Sequence, residues 1–346
     1  MKVAVEEGDR VPGRPHPRAA RDLIGQEAAE AAFLDAWRSG QVPHAWLLGG
    51  TEGIGKATFA YRVARFVLAA GARDAATLAA PADHAAVRRI EAQSNSDLFV
   101  LRRVITPDRT TLPTVIPVDE VRKTVGFLGS TAASGGWRVV IVDSLDELNV
   151  AGANALLKSL EEPPPRVLFL LIAHRPGRVL PTIRSRCRKL MLRPLGAVEL
   201  ARVLTEVLGI EPAAPGLADV IAAAGGSVRR ALALLDPQQG AVREAVRAVL
   251  GRLPAVDGTA LHGLAERLAS GGDGAFSAFI EAVEDHLAAP LAMPDNAAAS
   301  ALAAHAEVWD KLARAAAEVD AFNLDRKPFV FSVVSSLAEA ARRTRR

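Results

Sequence analysis

One stretch limits the fold more than any other: Gly49-Gly50-Thr51-Glu52-Gly53-Ile54-Gly55-Lys56-Ala57-Thr58. From Gly50 to Lys56 it follows the spacing G-x-x-x-x-G-K. Small residues there let backbone N–H groups approach phosphate oxygens, and a lysine adds a cation. The pattern has this meaning only between a strand and a helix, and the flanks satisfy that condition. A short apolar run, Ala45 to Leu48, leads in, and Phe59, Val63, Phe66 and Val67 then recur on one helical face. A phosphate cradle at a helix N-terminus is therefore expected.

Downstream, strand and helix signals alternate. Leu98–Val104 reads as a strand, and Val118, Val121, Val125 and Leu128 stripe a helix. Arg138–Val142 and Val167–Ile172 are unbroken apolar runs, the pattern of strands buried on both faces. Between them Ala153, Leu156, Leu157 and Leu160 mark a helix that Pro163 to Pro165 end. The alternation predicts a parallel α/β sheet with its site at the strands' C-terminal ends. Ala69–Asn95 is alanine-rich and gives no assignment, and the segments PDRTTLP and STAASGG read as loops. Beyond about Pro194 only helical patterns remain. The expected domains are residues 1–194, a sheet domain; 195–237, a small helical unit; and 238–346, an all-helical one. The stretch from Asp236 to Gly240 is the expected hinge.

Four places bear on chemistry, and each has a plainer structural meaning too. In the loop, Gly50, Gly53, Gly55 and Lys56 are the candidate phosphate contacts. The residue after the lysine, where a hydroxyl would help hold Mg²⁺, is Ala57. Thr58 is the nearest hydroxyl and is kept among the nucleotide-binding candidates. It lies roughly 100° further round the helix and is expected to point elsewhere. Asp143 ends a buried strand, as a Mg²⁺-supporting carboxylate must, yet it equally suits an acid capping a loop. Ser144 follows it, a poor general base where a water-orienting glutamate would be needed. Arg184, Arg186 and Arg188 alternate along TIRSRC and its flank, as a solvated edge or as a source of an arginine reaching a neighbour's nucleotide. Arg229 follows Gly225-Gly226 at a helix start, either a surface charge or a contact to a nucleotide from a lid.

Together HAWLLGG, IPVDEVRKTVGFL, ANALLKSLEEPP and SRC resemble the clamp-loader branch of the AAA+ ATPases, from about Leu23 to Arg230. That resemblance implies an AAA+ P-loop sheet flanked by helices, a helical lid and an all-α collar for oligomerisation. It also implies a place in a five-membered ring of gamma or tau motors, a delta subunit and a rigid stator. The ring serves DNA polymerase III by opening the sliding clamp and placing it on primed-template DNA. With Ala57 and Ser144 where a motor needs a hydroxyl and a glutamate, the similarity is to the stator, not to a gamma or tau ATPase. Arg186 then becomes an arginine finger acting in trans and Arg229 the lid arginine. ATP or ADP binding without efficient hydrolysis is expected, with weak or absent Mg²⁺. The family's four-cysteine zinc module has no counterpart, since Cys187 is the only cysteine, so neither zinc nor another metal site is expected.

Composition fits this reading without forcing it. Half of the 346 residues are apolar, 23% are charged, and the net charge is +3. That is too apolar for a disordered chain and only mildly suited to an acidic partner. The run MKVAVEEGDR lacks the apolar stretch of a secretion signal, and VLFLLIA is too short to span a bilayer. A cytoplasmic protein is expected.

Overall fold

A computed structural model describes residues 15–72, 74–103, 115–129, 136–289, 299–322 and 324–344. Residues 107–113 and most of 130–136, read above as loops, lie outside them. The chain separates into two compact units, Met1–Arg230 and Ala231–Arg346.

The first unit is organised by a five-stranded sheet in the order β2-β3-β4-β1-β5. The strands are β1 Ala45–Gly49, β2 Leu98–Arg102, β3 Arg138–Asp143, β4 Val167–Ala173 and β5 Arg188–Met191, and every pairing is parallel. Parallel strands are covered on both faces by crossover helices, which explains why β4 is apolar and buried at every position.

Side chains alternate between the faces. Trp46, Leu48, Val139, Ile141, Leu168, Leu170 and Ile172 pack with Phe33, Phe59, Val63 and Phe66. Those come from α1 (Glu27–Ser39) and α2 (Lys56–Leu68), joined by Ile90 of α3 (Ala85–Glu91). Leu47, Val140, Val142, Phe169 and Leu171 pack on the other face with Val121, Leu156, Leu160 and Ile183. These belong to α4 (Val118–Gly129), α5 (Val150–Glu161) and the short α6 (Pro181–Arg184). Each fully buried Leu or Phe contributes about 1.5–3 kcal/mol.

The strand β5 and the helix α3 were not anticipated. The strand β5 is Arg-Lys-Leu-Met, with Arg188 and Lys189 exposed. Charges suit an edge strand, which must not recruit another chain. The helix α3 occupies the unassigned alanine-rich segment, and His84 caps it by accepting from Ala86 N at 3.2 Å.

The unit continues through α7 (Ala197–Arg202), a π-helical turn at Val203–Val207, and α8 (Leu217–Ala223). The helix α9 (Val228–Leu235) spans the division after Arg230. The second unit is helical throughout its described residues: α10 (Pro237–Leu250), α11 (Gly258–Ser270), α12 (Gly272–Ala288), α13 (Ala299–Phe322) and α14 (Arg326–Thr344). Asp236 caps α10, accepting from Gln238 N at 2.9 Å. Phe276, Phe279 and Phe329 centre its core, with ring separations of 5.2 and 5.9 Å. No described helix is long and apolar enough to cross a membrane.

Candidate functional site

The sheet register brings Gly49, Asp143 and Ala173 to one rim, the C-terminal ends of β1, β3 and β4. The glycine loop leaves β1 there and enters α2 at Lys56. Gly53 and Gly55 hold φ of 77° and 97°, a region that disfavours side chains. At Gly53 a Cβ would also stand 2.5 Å from Ser227 Oγ and 2.6 Å from Arg229 Cβ.

That near-contact reflects bonds that tie the start of α9 to the loop. The Val228 N–H donates to Gly53 O at 2.8 Å, and Ser227 Oγ donates to Glu52 O at 2.8 Å. Ser227 Oγ also accepts from Arg230 N at 3.2 Å, fixing the first turn of α9. The Arg229 guanidinium pairs with the Glu52 carboxylate at 3.2 Å. Below the loop, buried Gln26 donates to Ile54 O at 3.0 Å and to Arg193 O at 2.8 Å. The loop is therefore bonded to segments far away in the chain on two sides.

Lys56 is buried, and Nζ donates to Gly50 O at 2.6 Å and to Thr51 O. Burial lowers its pKa to about 8, against the opposing pull of Glu52, Asp143 and Asp146. Among the described residues, nothing accepts from the N–H groups of Glu52, Gly53 or Gly55. A phosphate chain fits this cradle: those three N–H groups, Lys56 and Arg229 would hold it, and the nucleotide would supply its negative charge. A magnesium ion fits poorly, because Ala57 has no donor atom.

Past Asp143, the Ser144 hydroxyl is buried and has no hydrogen-bond partner among the described residues. Asp146 and Glu147 lie on the 3-10 turn Leu145–Glu147. Both are engaged. Asp146 accepts from His174 N at 2.9 Å and Arg175 N at 3.2 Å, pinning the end of β4. Glu147 pairs with Arg103 at 2.9 Å. Burial raises its pKa to about 7, Arg103 opposing and Asp146 and Glu52 adding to the rise. His174 has a lowered pKa, through burial and then Lys56, so its ring stands within electrostatic reach of the loop.

Sequence reasoning passed over Glu52, Ser227, Gln26 and His174. Glu52 was legible as an acid inside the loop, and Gln26 as an amide opening the first helix. Nothing linear ties either to its partners.

Arg186 stands apart from this cluster. Its Nη1 donates to Thr182 O at 2.8 Å and its Nη2 meets Glu161 Oε1 at 2.7 Å, with the side chain 36% exposed. The guanidinium is thus held in one direction on the surface beyond α6. Arg188 instead lies over the Trp46 ring at 5.3 Å. Cys187 is half-buried, and burial pushes its thiol up to about 11, far from a reactive thiolate.

The family model described as DNA polymerase III, delta subunit, matches residues 25–196, a span that holds the loop, Asp143 and Arg186. The chain belongs to this clamp-loader family. It is 40% identical over 187 residues to DNA polymerase III subunit delta' of Pseudomonas aeruginosa, covering 54% of each chain. It is 33% identical over 245 residues to subunit tau of Escherichia coli, covering 68% of this chain and 36% of that one. The matches thus span about half the length of the first relative and about a third of the second. A gamma subunit-related protein of Thermotoga maritima overlays at a TM-score of 0.42, with 16% identity over 89% of this chain and 99% of the other. The sheet order and the loop at its rim agree with the AAA+ class to which clamp-loader subunits belong.

Proposed function

We propose that the chain is a delta-prime-type stator of a cytoplasmic clamp-loader ring. It joins gamma or tau motors and a delta subunit, and through that ring serves the sliding clamp and primed-template DNA. It hydrolyses little ATP itself, and Arg186 acts in trans at a neighbouring motor's nucleotide. The observation that supports this most is the contrast between a complete phosphate cradle and the groups around it. Ala57 and Ser144 stand where metal binding and water activation need a hydroxyl and a carboxylate. Meanwhile Arg186 is held at the surface by Thr182 and Glu161, its side chain 36% exposed.

The tau relative keeps a second reading in view, an active motor. The two separate by assay. Alone with Mg²⁺ and primed DNA, a stator shows near-background ATP turnover. Turnover abolished by Lys56→Ala would identify a motor instead. Mixed with gamma-type and delta subunits, the stator enters a discrete five-chain particle, seen by mass measurement. Failure to join any particle contradicts the proposal.

A further inference from the structure

Glu52 sits where the loop and lid meet. Its carboxylate pairs with Arg229 at 3.2 Å, its own carbonyl accepts from Ser227 Oγ, and the next carbonyl accepts from Val228 N. Lys56 is meanwhile turned onto the carbonyls of Gly50 and Thr51. Both cations of the phosphate cradle are therefore engaged by oxygens of the loop itself. The remaining charges nearby are mostly acidic. Asp143 and Asp146 act on Lys56 along with Glu52, and Glu147 is balanced by Arg103.

A nucleotide laid on the free N–H groups adds charge of the same sign, and each further phosphate adds more. Magnesium offsets little of it without a hydroxyl at position 57. The arrangement thus has a carboxylate already serving the lid arginine, and weak means of tolerating one more phosphate. We propose that Glu52 is a specificity-determining residue that makes the loop prefer nucleoside diphosphates to triphosphates. A diphosphate leaves the Glu52–Arg229 pair intact, whereas a triphosphate brings its added charge against Glu52 or must displace it. This rests on the reading of the loop as a nucleotide cradle, and it is independent of Arg186.

The test is calorimetric titration of the full chain with ADP and with ATP, in Mg²⁺. The unmodified chain binds ADP about tenfold or more tightly than ATP, the scale of one unfavourable charge contact near a protein surface. In Glu52→Gln, ATP affinity rises until the two nucleotides differ by less than about threefold. Glu52→Asp, which keeps the charge, retains the preference for ADP, and so does Glu162→Gln on the exposed end of α5. Equal affinities in the unmodified chain, a preference unchanged in Glu52→Gln, or no binding of either nucleotide overturns the proposal. A ring indifferent to Arg186 would remove the trans role while leaving this preference standing.

Discussion

The loop around Lys56 and the shelf around Arg186 hold their cations at different depths. At the loop, Lys56 is buried and bonded to the loop's carbonyls, and Arg229 pairs with Glu52 at the loop's exposed edge. On the shelf, Arg186 is braced from behind by Thr182 and Glu161 and left more than a third exposed. The difference teaches how a nucleotide-shaped site can serve as structure. Here the loop's carbonyls and Glu52 are bonded to Lys56, Ser227, Val228 and Arg229 of the same chain.

This contrast predicts that stability is sensitive at the loop and indifferent on the shelf. The largest effect is expected for Gly53→Val. Its positive φ and the Ser227 and Arg229 atoms within 2.6 Å leave no room. Loss on the order of 3 kcal/mol is expected in chemical denaturation. Gly177→Ala, where a Cβ meets nothing within 4 Å, should cost little. Equal costs would erase the distinction.

Next comes pH. Glu147 has a folded pKa of about 7 against 4.5 unfolded, so the folded state binds more protons between those values. Stability therefore falls as pH rises through that window, by on the order of 2 kcal/mol. Glu147→Gln should flatten the fall, as read by urea midpoints from pH 4.5 to 7.5. Lys56 works in the other direction at high pH. Its pKa is about 8 folded and 10.5 unfolded, so the unfolded state binds more protons and stability rises across that range.

Smaller still, Ser227→Ala removes one bond to the loop and one within α9, at a cost of about 1–2 kcal/mol. The smallest is Glu161→Gln on the shelf, within about 0.5 kcal/mol, because exposed ion pairs contribute little to folding. A loss there as large as that of Ser227→Ala would mean the shelf is as structural as the lid.

Much of the sheet was legible because its strands are buried on both faces. Val139 to Val142 and Val167 to Ala173 leave no other use for so many adjacent apolar residues. The strand β5 was not legible: four residues with exposed charges look like a loop, and only pairing with β1 makes them a strand. The site divided the same way. Its glycines, Lys56, Asp143 and Arg186 follow local spacing. Glu52, Ser227 and Gln26 gain meaning only through partners up to 175 residues away in the chain. His174 follows the end of β4, and only the fold places it beside Asp146.

The most direct test of the account is ATP hydrolysis by a reconstituted ring carrying Arg186→Ala. The account predicts that the ring assembles normally and hydrolyses ATP at least about tenfold more slowly, within the large range that arginine fingers command. Normal assembly with an unchanged rate would contradict it.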